Sequence, residues 1–306
     1  MNALPKQLPF DPSQLTGLSE KLLRSHHQNN YGGAVKRLNA IRAELKLAHA
    51  GSRPGFALNG LKREELIATN SMLLHELYFD SLGSTTTVMT PAMALALAGS
   101  FGSVERWREE FVAMGKALGG GSGWVLLSFQ PREGTLVNQW AADHTDALAG
   151  ATPILALDMY EHAYHLDHGA AAADYVDAFM AHIDWSKVYK RYQQAVHAAS
   201  EACAADLAQL NLSETLVLDV RREGMFEQAQ TMLPEARWCD PAKVSDWAAE
   251  LPAGREVVVY CVYGHEVGRV TAMKLRALGV KASYLPGGID GWAAAGKPLQ
   301  AKAVLP

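Results

Sequence analysis

Residues 158–169, DMYEHAYHLDHG, place three histidines, three acids and two tyrosines in twelve positions, in a chain whose charged fraction is only 20%. Asp158 and His162 are four apart. TPILALD reads as a strand and EHAY as the start of a helix, so the pair straddles a junction from which both side chains can point into one site. A redox metal such as iron or manganese favours imidazole together with a carboxylate and an open coordination position. Two further histidines are then needed. His75 lies on an apolar helix face with Leu74, Leu77 and Tyr78, and His26 continues the four-residue ladder Leu18, Leu22, His26. Taken alone, each reads more readily as an interior histidine bonded to a neighbour than as a metal ligand, so clustering must decide it.

A second chemistry-bearing stretch is REVVVYCVYGHEVGRVTAMKLRALGV, in which Cys261 ends an apolar strand before a glycine-containing loop and an amphipathic helix. Backbone amides of such a loop cradle an anion and lower a thiol's pKa, which suits a nucleophilic cysteine carrying a charged or persulfide group. A small buried hydrophobe at a strand end is the alternative. A protein-phosphatase loop would need arginine where Val267 stands. Cys203 and Cys239 have no comparable setting, and three cysteines make an odd number, against a disulfide framework.

The elements that must position these residues follow from periodicity. Ser19 caps a long amphipathic helix with Leu18, Leu22, Leu23, Val35, Leu38, Ile41 and Leu45 on its apolar side. Gly32-Gly33 interrupts it, at about 1 kcal/mol per glycine, and predicts close packing or a local helix defect. A second helix over about 61–79 makes an antiparallel hairpin with the first. Helical stretches run to about Leu118, and strands follow: WVLLSFQ, TLVNQWAA and TPILALD. Helices resume over 161–199, broken near Gly169 and Asp184-Trp185, and the segment from about 186 to 209 reads as a helical linker. Beyond it ETLVLDV, EVVVYCV and KASYLPG alternate with helices, predicting a small parallel α/β domain.

With 306 residues, 49% of them apolar, two domains are expected. The net charge of −4 and the absence of a basic run argue against nucleic acid as a partner. No eighteen apolar residues run together, and MNALPKQLPFDPSQL lacks the apolar core of a secretion signal, so a cytoplasmic protein without membrane attachment is expected.

LALDMYEHAYHLDHGAAAADYVDAFMAHIDW resembles the C-terminal signature of the iron/manganese superoxide dismutases, whose D-x-W-E-H-A-Y supplies an aspartate and a histidine ligand. The resemblance covers about 190 residues. LLHELYF is similar to the family's second-helix signature and makes His75 a ligand. LSEKLLRSHHQNNYGGAVKRLN aligns without gaps and puts His26 at the first ligand position, with His27 as the alternative if the helix bulges. GSGWVLL puts Trp124 in the pocket wall. The resemblance thus implies a metal site of His26, His75, Asp158 and His162, one iron per subunit with manganese as the alternative, and superoxide as substrate. In the family Glu161 pairs with the opposite subunit's ligand histidine, which implies a homodimer.

Several positions depart from the family. Asn30 stands where it usually has histidine, and Ala34 where it has the tyrosine that gates the substrate funnel. Tyr31 lies on another face unless a bulge turns it inward. Tyr160 replaces the pocket tryptophan, and His165 replaces a tyrosine that reaches across the dimer. Ser71 occupies the position from which iron-type members supply a glutamine. His144 falls near the manganese-type position and is the candidate to hydrogen-bond solvent at the metal, tuning its potential. Asp167 and His168 read as a polar helix face.

Residues 213–302 resemble a single-domain rhodanese. LVLDVRRE is similar to that family's early element, YCVYGHEVGR to its active-site loop and YLPGGIDGW to its closing signature. The resemblance implies that Cys261 accepts sulfane sulfur while the amides of Val262 to Val267 hold it. The GHEV loop is similar to that of rhodanese-like proteins associated with chromate resistance.

The expected architecture is therefore an α-hairpin plus α/β dismutase fold over 1–195 (hairpin 1–82, α/β part 83–195), a linker over 196–212, and a small rhodanese-like α/β domain with a parallel sheet over 213–306. The alternative to two enzymes is a metal-binding scaffold with weak dismutase activity, joined to a module that binds oxyanions or sulfane sulfur and is linked to chromate or oxidative stress.

Overall fold

A computed structural model of the chain describes residues 2–48, 53–83, 87–208, 210–211 and 214–302. Ser19 caps the first helix as its sequence predicts, its hydroxyl accepting from the Leu22 amide at 3.1 Å. Helix α1 (Glu20–Ser25) passes into a π-helical segment, His26–Tyr31, and continues as α2 (Gly32–Leu47). The expected defect is thus a π segment ending at the glycine pair. Its wider turn rotates the side chains that follow relative to those before it. Helix α3 (Gly55–Asp80) starts six residues earlier than its apolar side does, after Pro54 in extended conformation. The hairpin closes through Leu38, Ile41 and Ala68, with Leu45, Leu61 and Met72 against them.

Helices α4 (Pro91–Phe101) and α5 (Val104–Ala117) precede a three-stranded sheet of β1 (Trp124–Gln130), β2 (Thr135–Ala141) and β3 (Thr152–Asp158), in the order β2-β1-β3. Strands β1 and β3 are almost wholly buried, matching their unbroken apolar sequences. One 3-10 turn (Glu161–Ala163) and helices α6 (His165–His168), α7 (Ala172–Ala181) and α8 (Trp185–Ser200) follow.

The remaining elements are β4 (Leu216–Asp219), α9 (Glu223–Gln228), β5 (Thr231–Met232), β6 (Arg237–Trp238), α10 (Val244–Trp247), β7 (Val257–Tyr260), α11 (Glu266–Ala277), β8 (Ala282–Tyr284), α12 (Gly288–Ala294) and β9 (Gln300–Ala301). Strands β6-β4-β7-β8 form the expected parallel sheet, with Leu216 opposite Val257 and Val257 opposite Ala282. Parallel strands covered on both faces need continuous apolar runs, and VVVY in β7 is buried at all four positions.

By packing, the chain forms two compact units: residues 1–89, 105–128 and 138–188, and residues 90–104, 129–137 and 189–306. The stretch 196–212 is helical through Cys203, carries buried Val196, Ser200 and Cys203, and bridges in parallel from Ala204 to Tyr284. Among the described residues no helix is long and apolar enough to cross a membrane.

In the first unit Gly123, one residue before β1, has φ 133°, and a Cβ there would lie 2.2 Å from the Ala141 carbonyl oxygen. Only glycine allows this approach, which seats Trp124. Gly123→Ala should destabilise the unit by more than about 1 kcal/mol, read as a lower denaturant midpoint of its unfolding transition.

Candidate metal centre and thiol loop

Four side chains from four elements of the first unit converge. His26 comes from the π segment, His75 from the last turns of α3, Asp158 from the end of β3 and His162 from the 3-10 turn after it. One ligating atom from each lies within 4.8 Å of the others. Asp158 Oδ2 is the hub, 3.1 Å from His26 Nε2, 3.2 Å from His162 Nε2 and 3.5 Å from His75 Nε2. Asp158, His26 and His75 are buried, and only His162 is partly open to solvent.

Outer contacts orient these groups. His75 Nδ1 donates to the Ser71 carbonyl at 2.6 Å, which leaves its Nε2 lone pair facing the cluster. That nitrogen lies 3.4 Å from His162 Nε2. The Tyr160 amide donates to Asp158 Oδ1 at 2.9 Å, and the Tyr175 hydroxyl to the Asp158 carbonyl at 2.7 Å. His26 Nδ1 is buried without a partner. The rings of Tyr78, Phe79 and Trp124 wall the cluster, Trp124 standing edge-on to His75 at 5.3 Å.

The charge state follows from burial. Desolvation pushes the His26 pKa down and lowers that of His75 to about 3, so both are neutral. Burial alone would raise the Asp158 pKa, but hydrogen bonds from His162 and His26 hold it well below the usual carboxylate range. A buried carboxylate beside the neutral imidazoles of His26 and His75, with His75 Nε2 facing His162 Nε2, is a donor set that a cation satisfies. These residues fit iron or manganese.

His144 joins the outer wall. The Trp124 indole N–H donates to His144 Nδ1 at 3.0 Å. An indole N–H can only donate, so His144 Nδ1 accepts and Nε2 carries the proton of the neutral ring. Burial lowers the His144 pKa and keeps it neutral. Tyr160 stacks between His144 (4.9 Å, 16°) and His162 (5.4 Å, 11°), an arrangement that its sequence position did not reveal.

The first-helix alternatives separate cleanly. His26 faces the cluster, whereas His27 Nε2 bonds the Lys6 carbonyl at 2.9 Å. Tyr31 is turned inward and buried. Its hydroxyl donates to Glu76 at 3.0 Å and accepts from the Lys6 amide at 2.7 Å, and Phe79 contacts both Tyr31 and His26. Ala34 is buried. Glu161 and His165 are exposed, and Asn30 is half-buried.

Asp167 and His168 are not a free polar face. The Asp167 carboxylate accepts from the Ser19 amide (2.6 Å) and hydroxyl (2.7 Å), and His168 bonds the Gly17 carbonyl at 2.8 Å. They tie the ligand-bearing segment to the start of α1, a tertiary contact with no local signal in sequence.

In the second unit Cys261 follows β7 directly. Its thiol receives backbone N–H groups of Gly264, His265 and Gly268, so one of the three donors lies beyond the 262–267 run expected. The expected low pKa is not found: burial outweighs those amides and pushes the thiol up. The closing signature holds the loop, with the Ile289 amide bonded to the Cys261 carbonyl and that of Asp290 to the Val262 carbonyl, each at 3.0 Å. Behind it, Arg221 pairs with Asp219, which also accepts from Tyr260.

Comparison with known proteins places two families along the chain, and the dismutase match takes in residues 90–104 and 129–137, which pack with the second unit. Residues 89–191 match the iron/manganese superoxide dismutase C-terminal domain, and residues 203–295 match the rhodanese-like domain. An iron superoxide dismutase of Cupriavidus metallidurans is 64% identical over 191 residues, 62% of this chain and 96% of the relative. A manganese superoxide dismutase of Halobacterium salinarum is 36% identical over 193 residues (61% and 94%), and an iron superoxide dismutase of Aquifex pyrophilus 29% over 194 (61% and 90%). The chain belongs to the iron/manganese superoxide dismutase family. It carries a rhodanese-like domain after the dismutase region.

Because His26 and His75 stay neutral when folded, while unfolded imidazoles bind protons near pH ~6.5, acid favours the unfolded chain. The metal-free protein should lose at least about 3 °C in melting temperature between about pH 7.5 and about pH 5.5, a shift of order 1 kcal/mol. A flat profile in calorimetry would contradict the neutral assignment.

Proposed function

We propose that the first unit is a superoxide dismutase holding iron through His26, His75, Asp158 and His162, and converting two superoxide ions and two protons to oxygen and hydrogen peroxide. The convergence of four ligand atoms on Asp158 carries this reading. The 64% identity to an iron-named relative supports iron, with manganese as the alternative. When bound, the metal supplies one-electron exchange, taking an electron from one superoxide and giving it to the next. The chain's own residues fix the donors and the proton. Ser71 keeps the His75 lone pair inward, and Trp124 keeps a proton on His144 Nε2 beside the cluster. Tyr160 holds His144 in register by stacking. The buried walls exclude other ligands.

The exposed Glu161 and His165 support a homodimer formed through that face. Three unpaired cysteines support a reducing, cytoplasmic compartment. A metal-binding scaffold with weak turnover is the second reading. It is favoured by Ala34 in place of a tyrosine and by the engagement of Tyr31 with Glu76.

His75→Ala should lower metal content, by elemental analysis, at least about tenfold and abolish dismutation. Full occupancy in that variant would sink the assignment. Reconstitution with iron and with manganese separates the metals, and occupancy without turnover favours the scaffold.

In the second unit we infer that Cys261 accepts sulfane sulfur. The amides of Gly264, His265 and Gly268 support this role by stabilising negative charge on the terminal sulfur. Cys261→Ser should abolish sulfur transfer from thiosulfate or a persulfide to cyanide while leaving dismutation intact. A wild-type protein without such transfer would favour a binding module.

A further inference from the structure

Of the three amides that face Cys261, one is held from behind. The His265 N–H that reaches the thiol shares its peptide plane with the Gly264 carbonyl. In a trans peptide the C=O and N–H point in opposite directions, so a donor that grips the carbonyl aims the N–H. Arg269, one turn into α11, is that donor, its Nε bonding the Gly264 carbonyl at 2.9 Å. Its own amide bonds the His265 carbonyl at 3.3 Å, so a single residue fixes two successive peptide planes of the loop.

Arg269 is itself fixed. Its Nη1 donates to the Ser200 hydroxyl at 3.0 Å, and that hydroxyl, buried at the end of α8, donates to the His197 carbonyl at 3.4 Å. The guanidinium lies 4.3 Å from the centre of the Tyr284 ring in β8. Glu201 stands 3.8 Å from Nη1 but is largely exposed, so water screens it, whereas only 11% of the Arg269 side chain is exposed. A guanidinium can bond the carbonyl and the hydroxyl at once through one rigid plane, which a lysine ammonium does not offer. Ser200 precedes the segment 203–295 that matches the rhodanese-like domain, so this support comes from outside that segment.

The surroundings of the thiol give the grip its purpose. Burial pushes the Cys261 thiol up, and the charge of Glu266 in the first turn of α11 adds to this. The buried Glu266 carboxylate accepts from the Tyr189 hydroxyl at 2.6 Å and from Gln193 Nε2 at 3.2 Å. Asp219 and Arg221 answer each other, and His265 and Asp290 are exposed. A cation bonded to the C=O of a peptide polarises it and strengthens the N–H at its other end as a donor to an anion.

We propose that Arg269 is the positioning residue of the Cys261 loop, holding the 264–265 peptide so that its N–H meets the negative charge that forms on the sulfur. The proposal deepens the reading of Cys261 as the sulfur-accepting thiol and rests on it. Arg269 acts through the peptide, not as an acid or base.

The pH profile of Cys261 alkylation by iodoacetamide, followed on the full chain with the labelled residue located by mass spectrometry, reads the thiolate directly. Arg269→Gln, with unchanged circular dichroism, should raise the midpoint of that profile by at least about half a pH unit, leaving about threefold less thiolate at a given lower pH. A loop that had merely loosened would relieve burial and move the midpoint down, so the sign separates positioning from packing. An unchanged or lowered midpoint overturns the proposal. Ser200→Ala removes only the hydroxyl behind the guanidinium and should shift the midpoint the same way by less. Where Arg269→Gln does not fold, Ser200→Ala decides, and an unshifted midpoint there overturns the proposal. A raised midpoint in Arg269→Gln, alongside a wild-type chain that transfers no sulfur from thiosulfate or a persulfide to cyanide, would sustain the positioning role and overturn the sulfur-accepting reading.

Discussion

The first unit depends on one buried negative charge. Asp158 sits at the end of a strand with no exposed surface, where an unpartnered carboxylate would cost several kcal/mol. Three imidazoles from two helices and a turn answer it, and each is placed by a different structural device. His26 depends on the π segment, His75 on the Ser71 carbonyl and His162 on the turn that the strand enters. A cation bound there would complete the balance that the protein groups leave open, and its retention would then be coupled to the packing of the hairpin on the sheet.

Around that charge, hydrogen bonds determine which nitrogen atoms carry protons. Ser71 sets His75 in one tautomer and Trp124 sets His144 in the other sense, because a carbonyl can only accept and an indole N–H can only donate. Tyr160 supports His144 and His162 by stacking on both. The wall thus forms a connected arrangement from Trp124 through His144 and Tyr160 to His162.

The second unit solves a different problem, that of keeping a thiol in an amide-lined loop. The loop is closed by glycine: at Gly288 a Cβ would lie 2.5 Å from the Cys261 carbonyl oxygen, and at Gly264 one would lie 2.6 Å from the Gly287 amide. Burial raises the thiol's pKa although three amides favour the anion. The resting thiol is therefore protonated.

Much of this was legible beforehand because its signals are local. Strand and helix periodicities, the Ser19 cap, the helix defect at the glycine pair and the spaced motifs are properties of neighbouring residues, and the elements formed close to where these placed them. Local pattern could not choose between His26 and His27, since the choice depends on how the π segment turns against α3 and on a Lys6 carbonyl that claims His27. Nor could it show Asp167 holding Ser19 across 148 positions, or Glu266 answered by Tyr189 across 77. The residue types and their order along the chain specified the candidate chemistry. Tautomers, charge states and the walls of both sites came only with folding, because each is set by partners that burial brings together from distant parts of the sequence.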